Sequence, residues 1–250
     1  MSVFNEIVLG WIALAVVLFP IQFFVIAPYG RHMRAGWGSG IPNRIGWFVM
    51  EIVSLAVFAT LFLMGQTPKS APMWIFFAFW VAHYTNRSMI FPWRMRTAGK
   101  TIPLAIVASA VGFNAVNAGL NGYYLGWHAS YPASWMWDIR FIAGAAAFLL
   151  GAFANIWADE KLIGIRSGGT STSYAVPRGG LFETVSCPNH LGEIVEWFGF
   201  ALMCWNLPAL SFAFWTAANL IPRSLSHHAW YSKHFPDYPH DRSAVIPFLL

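Results

Sequence analysis

The sequence contains few charged residues and few cysteines. Of its 250 residues only 10% are charged, whereas 57% are hydrophobic, with 14 Trp and 22 Phe. A soluble domain needs more polar side chains than this to cover its surface, so the composition indicates an integral membrane protein. The two cysteines, Cys187 and Cys204, show neither CxxC nor zinc-finger spacing, which argues against a disulfide framework and a structural zinc site. Because the N-terminus lacks the features of a removable signal peptide, we expect the first apolar segment to remain in the membrane.

Signatures of several enzyme classes are also missing. The segment GWGSG does not have the spacing of a dinucleotide fingerprint, and RSGGTSTS lacks the Gly-Lys-Ser/Thr of a phosphate-binding P-loop. The histidines do not form the HxxxH and HxxHH boxes of a membrane di-iron desaturase, since only His227 and His228 are adjacent, and no serine lies in a GxSxG motif. We therefore predict no metal site, and we expect any nucleotide to be bound in another way.

Long apolar segments, by contrast, recur along the whole chain. A membrane span needs about 20 mostly apolar residues. Seven candidate segments are present, at residues 7–26, 45–64, 72–91, 102–125, 141–157, 191–205 and 207–221. The last two are short and are separated by little more than Asn206. The predicted fold class is all-α, a polytopic membrane protein with seven transmembrane helices in a single membrane domain over residues 1–250.

The distribution of basic residues predicts which side of the membrane is cytoplasmic. With seven spans, only Lys69 and Arg140 lie on one side of the membrane. The other side carries Arg31, Arg34, Arg44, Arg87, Arg94, Arg96, Lys100, Lys161, Arg166, Arg178, Arg223, Lys233 and Arg242. By the positive-inside rule this second side is cytoplasmic, so the N-terminus lies outside and the C-terminus lies in the cytoplasm. The long polar segments are also cytoplasmic, where they could bind a soluble ligand.

A carboxylate and a phenol lie at similar depths in two of the spans. Glu51 is six residues past Ile45, roughly 9 Å deep, and Tyr84 is seven residues before Phe91, roughly 10 Å deep. An ionisable residue in the bilayer costs roughly 2.5 to 3.5 kcal/mol, so such residues usually face a partner or a functional cavity. Such a pair could polarise a carbonyl group by hydrogen bonding. The alternative is a structural ion pair between Glu51 and Arg87.

Two polar stripes recur at helical spacing in other spans. They comprise Asn114, Asn117 and Asn121 on the fourth span and Asn189, Glu193 and Glu196 on the sixth. Asparagine stripes often hold membrane helices together through interhelical hydrogen bonds, and this structural role is as good an interpretation as a functional one. The surrounding cytoplasmic arginines suit a polyanionic cosubstrate, because guanidinium groups bind phosphate in a bidentate manner.

Several motifs together resemble a known family. They are YGRH, WFVMEIVS, HYTNRS, NGYYL, DIRF, GGLFETVSCPNHLGEIVEWFGFAL and HHAWYSKHFPDYPHDRSAVIPFLL. In order and spacing they are similar to the steroid 5α-reductase family, in a bacterial-type member. The resemblance implies a seven-span enzyme that uses NADPH to reduce the C4–C5 double bond of 3-oxo-Δ4 steroids. It also implies that the C-terminal part, from about residue 100 to 250, forms the catalytic and cofactor-binding block.

The resemblance also implies site residues. Glu51 and Tyr84 would be the catalytic pair, and Met50 and Asn117 would belong to the substrate pocket. The implied cofactor-binding residues are Arg87, Arg94, Arg96, Asn155, Asp159, Arg166, Tyr174, Asn189, Glu193, Trp197, Arg223, His227 and Tyr231. Two departures from relatives such as the vertebrate type 2 enzyme stand out. Met50 replaces a glutamine, which bears on steroid preference, and Ala175 replaces an arginine, which bears on the choice between NADPH and NADH.

These observations lead to one functional hypothesis and two alternatives. The hypothesis is an NADPH-dependent reductase of a steroid or similar lipid enone, acting as a monomer in the bacterial inner membrane, with its cofactor site facing the cytoplasm and no nucleic-acid partner. The substrate would enter from the bilayer. One alternative is a membrane methyltransferase of the isoprenylcysteine type that uses S-adenosylmethionine, although a donor without phosphate has little use for many arginines. The other is an organic-anion transporter, although inverted repeats are not apparent.

Overall fold

A computed structural model describes residues 2–97, 99–165 and 174–250. Within these residues the chain is mostly helical. The helices are α1 (Val3–Ile21), α2 (Asn43–Met64), α3 (Ala71–Thr85), α4 (Phe91–Arg94), α5 (Leu104–Trp127), α6 (Ile139–Ile165), α7 (Pro188–Cys204) and α8 (Leu207–His234). A π-helical segment, Asn86–Ile90, joins α3 to α4, and two short strands are β1 (Gly40–Pro42) and β2 (Thr101–Pro103).

Four of these helices are long and apolar enough to cross a membrane. They are α1, α2, α5 and α6, in a search limited to the described part of the chain. α3 has 15 residues and α7 has 17, which is short for a span, and α8 has 28 residues but a polar second half. The predicted helical fold is therefore confirmed, and the four apolar helices indicate an integral membrane protein. The number of spans and their orientation stay predictions.

The two strands are a difference from the predicted all-α class. They pair antiparallel, with Ile41 opposite Ile102. Each strand is an Ile-Pro segment that leads directly into a helix, because Pro42 and Pro103 are the N-cap residues of α2 and α5. Proline fixes an extended entry and cannot donate a hydrogen bond within the following helix, which explains why both helices begin here. The pairing holds the beginnings of α2 and α5 side by side.

Helix limits differ from the prediction at several places. α3 ends at Thr85 rather than at residue 91, and α6 continues to Ile165 rather than ending at residue 157. α1 ends at Ile21 rather than at residue 26. α8 does not end at Ile221 but continues through Pro222 to His234, so the polar tail begins as part of this helix. The predicted break between α7 and α8 is confirmed, because Trp205 adopts a left-handed conformation with φ of 47° and the side chain of Asn206 caps α8.

The chain divides into two compact units. Unit 1 comprises Met1–Ile26 and Ile142–Leu250, and unit 2 comprises Ala27–Phe141. The sequence-based prediction of a single domain stays a prediction. Each unit contains its own pair of closely packed helices, α6 with α7 in unit 1 and α2 with α5 in unit 2, and these pairs position the candidate site residues.

In unit 1, α6 and α7 touch through their backbones. A Cβ atom added to Gly144 would collide with the backbone of Gly199, and one added to Gly151 would collide with the backbone of Gly192. The two glycines on each helix are seven residues apart, so both pairs lie on one face, two turns from each other. Small residues permit this close approach, which is a common basis of helix association in membranes.

In unit 2, α2 and α5 run parallel. At one level the side-chain amide of Asn114 donates to the backbone carbonyl of Met50, at 2.8 Å. Further along, a Cβ atom added to Gly122 would collide with the carbonyl of Phe58, and the two helices end beside each other, where an added Cβ on Gly65 would overlap the backbone of Gly126. Close backbone contact is therefore concentrated at the later end of this pair.

Candidate active site

The predicted catalytic pair lies in unit 2, on α2 and α3. Phe62 packs on Phe77 with ring centroids 4.8 Å apart, and Phe58 stacks on Trp80 at 4.3 Å. These pairings show that α2 and α3 run antiparallel. Continued by two turns, the same register brings Glu51 level with the segment between Tyr84 and Arg87.

Trp80 connects the two helices beside this pair. Its ring nitrogen donates to the backbone carbonyl of Ser54, at 3.4 Å, and its ring lies 5.2 Å from that of Tyr84. Ser54 is one turn from Glu51 on α2, and Trp80 is one turn from Tyr84 on α3. Tyr84 is buried and Glu51 is half-buried. The arrangement is consistent with a carboxyl group and a phenol that share one apolar environment.

Arg87 belongs to the π-helical segment that follows α3. Its guanidinium group lies 5.0 Å from the ring centre of Trp47 and 4.8 Å from that of Phe91. Stacking against two aromatic rings holds a buried arginine in place, since the cation is attracted to the ring faces. Single π-helical turns are frequent at functional sites. The predicted phosphate residues Arg94 and Arg96 are exposed, and their role stays a prediction from the resemblance.

The two predicted pocket residues of unit 2 have different surroundings. Met50 packs in an apolar cluster with Ile102 and Val107. Asn117 is buried on α5, between Asn114, which bonds to α2, and Asn121, whose amide donates to the backbone carbonyl of Asn117. The interhelical role considered for this stripe therefore applies to Asn114.

Four predicted cofactor residues form a hydrogen-bonded network in unit 1. The amide of Asn155 on α6 donates to the backbone carbonyl of Asn189, at 2.9 Å, and to the carboxylate of Glu193, at 3.3 Å. The amide of Asn189 on α7 donates to the carboxylate of Asp159, at 3.1 Å. Asn155 follows Gly151 by one turn, so the network continues the face of the glycine pairs. The close backbone contact brings these short side chains within bonding distance.

Three other predicted residues of unit 1, Trp197, His227 and Tyr231, lie on α7 and α8. Trp197 is buried on α7 against Phe212, with ring centroids 4.2 Å apart. The ring of His227 on α8 lies 5.6 Å from that of His190 in the first turn of α7. Tyr231 is buried and stacks on Tyr238.

Three further residues were predicted to bind the cofactor. Arg223 is half-buried on α8, one turn before His227. The ring of Tyr174 lies 5.0 Å from that of Trp230. Arg166 lies outside the described residues.

A second polar network in unit 1 was not identified from the sequence. The hydroxyl of Ser186 is 2.7 Å from Nδ1 of His228 and 2.6 Å from the hydroxyl of Tyr238. Arg242 is buried beside Tyr238 and donates to the carbonyl of Pro177, at 3.2 Å. Burial, together with the Arg242 guanidinium, lowers the pKa of His228 from its usual 6.5.

This network holds the C-terminal segment against the chain before α7. The backbone N–H groups of Ser186 and Cys187 donate to the carbonyls of Ser243 and Ala244, at 2.8 and 3.1 Å. The available signal was the mixture of charged and polar side chains with aromatic residues and prolines in the tail, because a guanidinium that becomes buried there needs specific partners. The described residues contain no group of three or more His, Cys, Asp or Glu that could hold a metal ion.

The chain is similar in sequence to several named proteins. Residues 100–250 match a family model described as 3-oxo-5-alpha-steroid 4-dehydrogenase. The chain is 40% identical over 253 residues to steroid 5-alpha-reductase DET2 of Solanum lycopersicum, covering 99% of this chain and 97% of the relative. It is 39% identical over 242 residues to 3-oxo-5-alpha-steroid 4-dehydrogenase 1 of Bos taurus, covering 95% and 93%. It is 40% identical over 223 residues to the Homo sapiens protein of the same name, covering 88% of this chain and 85% of the relative.

Proposed function

The chain belongs to the 3-oxo-5-alpha-steroid 4-dehydrogenase family, and from this membership we propose that it reduces the C4–C5 double bond of 3-oxo-Δ4 steroids, or of a similar lipid enone, with NADPH. In its reaction class the protein is an oxidoreductase that acts on a CH–CH bond. This membership favours the reductase over the methyltransferase and the transporter, which were the alternatives from the sequence.

The observation that carries the proposal is the register of α2 and α3. It brings Glu51 level with the segment between Tyr84 and Arg87, and Trp80, one turn from Tyr84, stacks on Phe58. In the proposed reaction, the β-carbon of the enone is reduced, negative charge develops on the keto oxygen, and a proton then adds to the α-carbon as that charge is neutralised. Tyr84 donates a hydrogen bond to this oxygen, and Glu51 orients the phenol or donates to the same oxygen when protonated. Donors fixed in a low-dielectric environment stabilise such charge strongly.

The residues of unit 1 fit the binding of a dinucleotide. Asn155, Asn189, Asp159 and Glu193 combine amide donors with carboxylate acceptors, the groups that recognise ribose hydroxyls and a carboxamide. The cationic side chain of Arg223 on α8 could bind phosphate. NADPH, when bound, supplies the hydride. These groups would hold the cofactor, and the glycine contacts of α6 and α7 would keep their orientation.

The proposal includes a membrane topology. In this topology seven helices cross a bacterial inner membrane, with the N-terminus outside and the C-terminus in the cytoplasm. The enzyme is a monomer that binds NADPH from the cytoplasm. Its lipid enone substrate comes from the bilayer. The distribution of basic residues supports this orientation. A reporter fused after Met64 should give a periplasmic signal, and a reporter fused after Leu250 should give a cytoplasmic signal. A periplasmic signal at Leu250 would contradict the topology.

The activity can be tested with the purified protein in mild detergent. Androst-4-en-3-one and NADPH should yield the 5α-reduced ketone, identified by mass spectrometry and chromatography, with equimolar oxidation of NADPH. Androst-1-en-3-one lacks the C4–C5 double bond and serves as a control for regiochemistry. A protein that binds NADPH yet reduces no 3-oxo-Δ4 steroid or other lipid enone would refute the proposal.

A further inference from the structure

The three asparagines of α5 differ in how their side chains are used. The amide of Asn114 donates to Met50 on α2, and that of Asn121 donates to the backbone of α5. Asn117 lies between them and is 0% exposed, yet neither its side-chain nitrogen nor its oxygen has a hydrogen-bond partner among the described residues. Buried side-chain amides are almost always hydrogen-bonded in native proteins. Asn117 therefore has polar capacity that its own helix pair does not use.

Ser54 on α2 shows the same feature. It is 0% exposed, and its hydroxyl has no hydrogen-bond partner in the described part of the chain. It lies one turn from Glu51 on the same face of α2. The backbone of Ser54 is engaged by Trp80, so the position of this residue is fixed while its hydroxyl remains available.

Ser54 and Asn117 lie at the same level of the α2–α5 pair. The bond between Asn114 and Met50 marks one level, and an added Cβ on Gly119, 4.0 Å from Cγ1 of Val57, marks another. Because the two helices run parallel, the residues of α2 between Met50 and Val57 lie at the same levels as the residues of α5 between Asn114 and Gly119. The two unused polar side chains therefore fall within this interval, about one turn from Glu51.

Their chemistry selects one kind of ligand. The amide of Asn117 offers donors and an acceptor, and the hydroxyl of Ser54 offers one of each. A carbonyl group would satisfy only the donors and would leave the Asn117 oxygen unmatched, whereas a hydroxyl group both donates and accepts. We propose that Asn117 and Ser54 together bind a hydroxyl group next to the catalytic Glu51. The hydroxyl belongs either to the lipid substrate or to a bound water molecule.

This inference rests on the proposed function and extends it to the substrate class. If the hydroxyl is the substrate's, the enzyme selects hydroxylated enones, because a site built to hydrogen-bond a hydroxyl rejects the analogue that lacks it. If it is water, Asn117 and Ser54 are positioning residues that act beside Glu51 for every substrate. The two sources make different kinetic predictions.

The test compares variants and substrates together. The variants are Asn117→Leu and Ser54→Ala, the latter a smaller change that keeps the test valid should the former not fold. Ser211→Ala is the matched control, because Ser211 is equally buried but its hydroxyl donates to the carbonyl of Pro208, at 2.7 Å. The substrates are androst-4-en-3-one and derivatives that each carry one added hydroxyl at a different ring position.

Two results would support the inference. For a substrate hydroxyl, the wild type prefers one hydroxylated steroid by at least about tenfold in kcat/KM, and Asn117→Leu loses that preference. For water, both variants lower kcat about equally for all the steroids, with KM, NADPH affinity and Tm unchanged. Unchanged kcat/KM for every substrate in both variants would overturn it. The same conclusion follows if Asn117→Leu and Ser54→Ala behave like Ser211→Ala.

Steroid binding, read as a ligand-induced rise in Tm, separates this inference from the proposed function. If NADPH-dependent reduction is absent but hydroxyl-dependent binding is lost in Asn117→Leu, the proposed function fails and the hydroxyl site stands. If reduction proceeds without any dependence on Asn117 or Ser54, only the hydroxyl site fails. Binding of no steroid at all would refute both.

Discussion

The helix pairs α6–α7 in unit 1 and α2–α5 in unit 2 use the same residue types for different purposes. Both bring glycine and asparagine to the contact. In α6–α7, two glycine pairs lead into a network in which Asn155 and Asn189 donate across the helices. In α2–α5, Asn114 makes such a bond, but Asn117, one turn away, keeps polar atoms without partners among the described residues.

The difference shows how packing decides what an asparagine can do. Where backbones touch over two turns, short side chains reach across and fix each other's orientation, which preorganises them for a ligand of known geometry. Where close contact is limited to one end of the pair, a buried amide can retain its binding capacity. We therefore associate α6–α7 with a rigid cofactor site and α2–α5 with recognition of a more variable lipid.

The largest effect is expected from breaking the glycine contact. In Gly151→Ala the new Cβ would meet the backbone of Glu196 and Gly192, which cannot move aside, so the variant should lose about 3 kcal/mol of stability or more. Thermal unfolding in detergent measures this loss. Gly112→Ala on α5 is the control, because nothing lies within 4 Å of its Cβ position, and it should gain up to about 1 kcal/mol. Equal Tm values for the two variants would contradict the packing argument.

The next largest effect is expected on the catalytic rate, without a change in cofactor binding. Tyr84→Phe and Glu51→Leu should each lower kcat by roughly 10², the scale of losing one donor to a developing oxyanion, while NADPH affinity in unit 1 persists. The double variant should cost little more than either single one, because groups that act as a unit are not additive. Stopped-flow kinetics and NADPH titration measure the two quantities. A parental rate in Glu51→Leu would make its carboxylate structural.

The bridging asparagines give a direct comparison of the two pairs. Asn155→Leu removes the donor to Asn189 and Glu193, and should weaken NADPH binding by about tenfold. Asn114→Leu removes a bond of similar length in α2–α5 and should lower Tm without changing NADPH affinity. Isothermal titration and thermal unfolding distinguish the outcomes. A similar loss of NADPH affinity in both variants would show that the amides act only through general stability.

The smallest effect concerns the tail network of unit 1. Because the pKa of His228 is lower in the folded protein than in the unfolded chain, the unfolded chain binds more protons below about pH 6.5. Stability contributed by the neutral ring is therefore complete above that pH and decreases as the pH falls. His228→Gln should show a smaller fall in Tm between about pH 7 and pH 5.5 than the wild type.

The control for this prediction is the exposed His240→Gln, which removes a histidine elsewhere in the tail. It should keep the pH dependence of the wild type. An identical pH dependence in His228→Gln would mean that another group governs acid stability.

The sequence by itself determined the helical membrane fold and most helix positions. Apolar runs predicted α2 and α5 closely, and the short break at Asn206 was sufficient to separate α7 from α8. The apolar runs carry this information because each segment that crosses the bilayer must itself be apolar over about 20 residues and satisfy its own backbone hydrogen bonds. The strands β1 and β2 were missed because three-residue strands have no periodicity to detect. The apolar run did not indicate the full length of α8, because the residues beyond Pro222 are too polar to be part of a membrane span.

Site residues depended on tertiary structure to a greater extent. Spacing alone indicated Glu51 and Tyr84, since a carboxylate in an apolar run is costly wherever it occurs. Spacing could not distinguish Asn117 from Asn114, because all three asparagines of α5 have the same chemistry and similar burial. Only the positions of carbonyl groups on neighbouring turns decide which amide is satisfied. Hydrogen bonds are short and directional, so a partner within 3 Å is a property of the packed helices and not of the residue pattern.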